Sequence, residues 1–117
     1  MRLQDQKFID AIVNENIPLA LEAITEGADV NVKNEKGEPA LLLAVTARKI
    51  NSINFLLDQG VDVNAVNGLN ETALILAVKE GYIEAVRAFL KVTNVNLHIQ
   101  SYLYGTALTT AIYFDRN

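Results

Sequence analysis

The chain has 117 residues, half of them apolar and 21% charged, which suits one folded domain and excludes intrinsic disorder. Ten basic against fourteen acidic residues leave a net charge of −4, which argues against a nucleic-acid binder. The absence of cysteine excludes disulfides, thiolate catalysis and Cys-based metal sites, and a single histidine, His98, excludes a multi-His metal site.

The first residues, MRLQDQKFIDAIVNEN, mix charged and apolar types without a signal-peptide core, and predict a helix over 4–14. Asn16 before Ile17-Pro18 reads as an N-cap followed by proline in the first turn of a helix over 17–26. Gly27 stands where a left-handed C-cap is expected, and a polar hairpin loop follows near 31–38. The apolar run over 40–45 is far too short to cross a bilayer. Its Ala and Leu content predicts a short helix over 40–48, packed between neighbours. Ile50, Ile53, Leu56 and Leu57 form an amphipathic stripe, predicting a helix over 50–59. Gly60 is the next C-cap, and a loop near 64–71 precedes helices over 73–80 and 83–92. A third loop near 96–105 and a helix over 107–114 complete the order. The expected core includes Ala11, Ile24, Leu41, Ala44, Ile53, Leu57, Leu74, Ala77, Val86 and Leu90.

The elements repeat. Residues 27–59 align with 60–92 without a gap at an offset of 33, with 13 identical positions, among them Gly27/Gly60, Asp29/Asp62, Asn31/Asn64, Ala44/Ala77 and Leu57/Leu90. Ala11, Ile17 and Ile24 extend the period backwards. Forwards, Asn96 follows Asn64 by 32 and Ala111 follows Ala77 by 34, which reads as one residue lost before Asn96 and two gained in a longer third loop. The chain therefore divides into a partial N-terminal unit (1–26), two full units (27–59 and 60–92) and an incomplete unit (93–117) of a single domain. One unit cannot bury its apolar side, whereas stacked units can, giving an all-α solenoid of about three and a half repeats.

The period of 33, the GADVN of 27–31, the GVDVN of 60–64, the ETALILAV of 71–78 and the GYIEAVRAFL of 81–90 resemble ankyrin repeats over essentially the whole chain. The chain departs from the family's Thr-Pro-Leu-His motif. Residues 39–42, 72–75 and 106–109 lack its Pro or its His in place, so the usual Thr–His hydrogen bond is lost. The resemblance implies a non-catalytic module that binds a protein partner through hairpin tips and first helices on a concave face. It also implies that the loop asparagines are of a kind that can be hydroxylated. No cofactor, nucleic acid or membrane is expected, and the cytoplasm, with the nucleus as a second compartment, is the expected location.

Candidate binding positions are those where the units differ most: Lys33, Glu35, Lys36, Thr46, Val66, Leu69, Lys79 and Glu80. To these the third loop adds His98, Tyr102 and Tyr104, and the last helix adds Tyr113 and Phe114, four rings expected to converge at one end of the face or to cover it. His98 lacks acid–base partners nearby and reads as a loop residue. Asp29 and Asp62 read as loop-shaping, and Asn31, Asn64 and Asn96 as amides that bond loop backbone and fix each hairpin to its neighbour. Asn70-Glu71-Thr72 matches the N-glycosylation pattern, but Thr72 is expected to cap the following helix. At the far end Leu108 and Ile112, with parts of Phe89 and Leu90, are expected to lack cover. The chain then reads as an excerpt of a longer repeat protein, used for assembly, or as one that buries this end in a partner or a second copy.

Overall fold

The computed structural model describes residues 1–115, with seven helices: α1 (Leu3–Val13), α2 (Ile17–Thr25), α3 (Ala40–Thr46), α4 (Ile50–Asp58), α5 (Ala73–Lys79), α6 (Ile83–Leu90) and α7 (Ala107–Asp115). Among these residues, strand pairing is limited to isolated bridges, Lys33 to Pro39 and Ser101 to Gly105, at the base of two hairpins. Helices α1, α3, α5 and α7 pack side by side, α1, α3 and α5 each pair with the helix that follows, and α4 lies against α6. The result is an elongated stack, 44 × 25 × 24 Å.

Local chemistry sets the corners. Between the paired helices the chain turns through Glu15, Arg48 and Gly81, all at positive φ and 33 residues apart. Each turn is closed by a bond back to a buried alanine, from Asn16 to Ala11, Lys49 to Ala44 and Tyr82 to Ala77. Gly27 and Gly60, at φ 97° and 75°, close α2 and α4 in the same way, as expected of C-cap glycines. The Asn16 side chain accepts the Leu19 amide and Thr72 Oγ1 the Ile75 amide, so both expected caps are present.

Phe8, Ile12, Leu41, Val45, Ile53, Leu56, Ile75 and Phe89 fill the core, interleaved with Ala11, Ala20, Ala23, Ala44, Ala77 and Ala85, whose small side chains let the helices approach. Of the expected core, Ile24, Leu57 and Val86 are half-buried. Leu90, expected both in the core and partly without cover, is 54% exposed, because it lies on the flank of α6 that no second helix covers among the described residues; Phe89, expected to share that lack of cover, is a correction, being fully buried.

The third hairpin is a second correction. Its hydrogen bonds show that Asn96 stands where Asp62 stands, not where Asn64 does. The Asn96 amide donates to Asn64 Oδ1 at 2.7 Å, as the Asp62 amide donates to Asn31 Oδ1 at 2.7 Å. The Asn96 side chain in turn accepts the amide two residues on, as Asp62 does. With Asn96 paired to Asp62, the offset is 34 from Asn96 to Ala111, and Asn96 to Thr106 spans the same ten residues as Asp62 to Thr72. The third loop is therefore no longer than the others. The single extra residue lies between α6 and Asn96, where Thr93 replaces the C-cap glycine and the chain leaves the helix through bonds from Lys91 to Ala88 and from Val92 to Phe89.

Candidate protein-interaction face

A relay of side-chain acceptors holds the hairpins in line. The Asp5 carboxylate accepts the Asp29 amide, Asp29 that of Asn31, Asn31 that of Asp62, Asp62 that of Asn64, Asn64 that of Asn96, and Asn96 that of His98, all at 2.7–3.0 Å. Asn64 adds a second tie, donating to the Asn94 carbonyl at 2.9 Å. Asp5 opens the relay and is itself gripped by Arg2, which also reaches the Gly27 carbonyl. The Arg2 guanidinium first, and then the Asp29 amide, hold the Asp5 carboxyl below the usual carboxylate range. His98 occupies the place of Asn31 and Asn64 in this relay, a role hidden by the identity of Asn96 with Asn64.

Within each of the first two hairpins an asparagine closes the loop. Asn34 Oδ1 accepts the amides of Lys36 and Glu38, and Asn67 Oδ1 those of Leu69 and Glu71. Their amide groups donate to the Glu38 and Glu71 carboxylates. Glu71 is buried, 2% exposed in its side chain, and is paired with Lys79 Nζ at 2.9 Å. Sequence reasoning misses Glu71, although Asn34/Glu38 and Asn67/Glu71 recur at the repeat spacing. Asn70 has positive φ and donates to the Gln100 carbonyl, and Thr72 is buried, so the glycosylation pattern there is hairpin chemistry.

These bonds leave Lys33, Glu35, Lys36, Leu69, His98 and Tyr102 exposed at the hairpins, with Val66 half-buried. Thr46 and Glu80 are exposed at the ends of α3 and α5. Helix ends and hairpins meet where Lys79 Nζ lies 5.9 Å from the centre of the Tyr104 ring. Tyr104, Tyr113 and Phe114 then form a three-ring cluster, with centroids 5.0–5.2 Å apart and tilted or edge-on geometry. Three of the four expected rings thus converge. Tyr102 does not join them. It is 74% exposed, and its amide donates to the Leu69 carbonyl of the preceding hairpin.

Neighbouring units are also tied at the helix corners. Glu15 accepts the Asn51 amide at the start of α4, Ser52 Oγ donates to the Ile12 carbonyl, and Arg48 donates to the Glu80 carbonyl while lying 5.0 Å from the Tyr82 ring centre. Burial first, and then Glu84, push the Tyr82 phenol up, against the opposing charge of Arg48. In the last unit Thr109 stands at the position of the family's motif histidine, and its Oγ1 lies 3.3 Å from Thr106 Oγ1, a Thr–Thr contact where a Thr–His bond is usual.

Among the described residues no three His, Cys, Asp or Glu are grouped to hold a metal, and no helix is long and apolar enough to cross a membrane. The His98 imidazole makes no hydrogen bond among them; only its backbone amide does. The family model described as Ankyrin repeats (3 copies) matches residues 8–101. No match is found among curated proteins.

Proposed function

This chain belongs to the ankyrin-repeat family, whose members are generally protein–protein interaction modules, and we propose that it is a non-catalytic module that binds a protein partner along the hairpin tips and first-helix ends of its concave face. The observation that carries this is the pairing of a fixed frame with a variable surface. The acidic and amide side chains of the relay are turned to backbone, while the positions that differ between units, Lys33/Val66, Glu35/Gly68, Lys36/Leu69 and Thr46/Lys79, stand at its edge. A frame set before binding leaves little ordering cost to the complex.

The aromatic end is the anchor in this reading. Tyr113 is 56% exposed, yet its ring is braced by Tyr104 and Phe114, so it offers contact area with little freedom to lose. Lys79 and Glu80 border it. The expected compartment is the cytoplasm, or cytoplasm and nucleus. The test is affinity capture from the source organism, comparing the wild type with the Tyr102→Ser/Tyr113→Ser double variant. Both tyrosines are largely exposed, so the melting temperature should hold while capture falls about tenfold or more, a loss of roughly 1.4 kcal/mol or greater. Unchanged capture at an unchanged melting temperature removes the aromatic end from the binding face.

A further inference from the structure

We propose that Asn67 is a latent deamidation site. The closed second hairpin shields its side-chain amide, and once the hairpin opens, conversion to aspartate or isoaspartate prevents it from closing as before. Asn67 is followed by Gly68, which has no Cβ to hinder attack of its own backbone nitrogen on the asparagine side chain. The fold does not call for this glycine. The left-handed place in the hairpin is taken by Asn70 at φ 59°, as Gly37, 33 residues earlier, takes it at φ 78°. Gly68 stands outside the left-handed region, a Cβ there would meet open space, and its counterpart one repeat back is Glu35. Gly68 is exposed, and its N–H makes no hydrogen bond among the described residues.

The reaction consumes only water. The Gly68 nitrogen attacks Asn67 Cγ, the Cγ–Nδ2 bond breaks, and Nδ2 leaves as ammonia with the proton from Gly68, giving a succinimide ring. Water then adds to one of the ring carbonyls, the C–N bond there breaks, and a proton returns to the Gly68 nitrogen. Opening at Cγ leaves aspartate, and opening at the main-chain carbonyl leaves isoaspartate.

In the closed hairpin the side chain is held on every polar atom. Asn67 Oδ1 accepts the Leu69 and Glu71 amides, both at 3.0 Å, and Nδ2 donates to Glu71 Oε1 at 2.9 Å. Turning Cγ onto the Gly68 nitrogen breaks these bonds and strands the amide of Glu71, a buried residue. After the reaction an oxygen stands where Nδ2 stood, against Glu71 Oε1, and Lys79 reaches only Glu71 Oε2. Two carboxylates at that distance repel, so the bond that closed the hairpin becomes the contact that resists closure. Isoaspartate also lengthens the main chain within the loop. A reversible opening thereby becomes one-way. Asn34 makes the same three bonds in the first hairpin but precedes Glu35, which makes it the internal control.

The full chain, incubated at neutral pH in buffer and in denaturant, tests this by peptide mapping that separates asparagine, aspartate and isoaspartate. In denaturant Asn67 should convert faster than Asn34. In buffer its conversion should slow about tenfold or more, the factor being set by how seldom the hairpin opens. Gly68→Ala should lose the fast reaction in denaturant and keep the native melting temperature. Asn67→Asp should lower the melting temperature, and by less in a Glu71→Gln background, where the introduced amide can donate to the new carboxylate. Conversion of Asn67 no faster than that of Asn34 in denaturant, or undiminished in Gly68→Ala, overturns the site. Equal rates in buffer and denaturant overturn the shielding. An Asn67→Asp chain that melts as wild type, or loses as much in both backgrounds, overturns the one-way step.

Discussion

Replacing Asn64 by alanine tests the relay where it carries most. Its Oδ1 accepts the Asn96 amide at 2.7 Å and its Nδ2 donates to the Asn94 carbonyl at 2.9 Å, so the substitution removes two bonds to the next unit. A typical bond nets about 0.5–1.5 kcal/mol, and Asn64 is half-buried, so water recovers part of the loss; about 1–2 kcal/mol is expected. Asn31→Ala removes one inter-unit bond, to the Asp62 amide, at an exposed site, and should cost about half as much. Urea unfolding gives the totals, and hydrogen exchange gives the location. The Asn96 amide should lose roughly tenfold or more in protection after Asn64→Ala, while amides of α1 and α3 follow only the global change. Equal costs for the two variants, or an Asn96 amide whose exchange does not change, would refute the assignment of the inter-unit bond to these side chains.

Three further outcomes are expected. Gly105 has φ +76°, and a Cβ there would stand 2.5 Å from Thr109 Oγ1, whereas Gly37, at φ +78°, has open space. Gly105→Ala should therefore cost about 1–3 kcal/mol and Gly37→Ala about 1, read as thermal shifts. The Asp5 carboxyl is depressed on folding, so its contribution is complete above the unfolded value of about 3.9 and is lost as pH falls through the folded value. Acid unfolding of Asp5→Asn should lack that part of the decline, and a curve parallel to wild type below pH about 4 would count against it. Lys79→Met leaves the buried Glu71 carboxylate with the Asn67 amide group as its remaining side-chain partner and should cost about 1.5–3 kcal/mol, while Thr46→Met at the equivalent place should cost little.

Helix positions were legible because period, cap and glycine agree: Asn16 and Thr72 cap, Gly27 and Gly60 terminate, and α1 to α7 fall within two residues of the expected bounds. The register of the third hairpin was not, because an asparagine and an aspartate do the same thing at that place. Each accepts the amide two residues on, so matching Asn96 to Asn64 by identity put it two positions out of register and hid the role of His98. Leu90 drew two opposed expectations, core and partly uncovered, for a different reason. Periodicity places it on the apolar side of α6, but only packing decides whether that side is met by another helix. The convergence of Tyr104, Tyr113 and Phe114 followed from helix register, while Tyr102 stands apart because its backbone is bonded to Leu69. The buried Glu71–Lys79 pair was visible only as half of a repeated Asn/Glu spacing, since Lys79 lies eight residues further on and has no counterpart at Thr46.

The relay has a direction. At each crossing between units the earlier one supplies a side-chain oxygen and the later one a backbone N–H, as Asn31 does for Asp62 and Asn64 for Asn96. A unit cut at any phase of the 33-residue period therefore carries one acceptor for its successor and one donor for its predecessor. Tandem duplication of such a segment would leave no orphaned amide at the new junction, and deletion of one would rejoin matching ends. Lengthening the stack by gene duplication thus requires no compensating substitution in these bonds, whereas inverting a unit or grafting it in another order of phase would strand both groups.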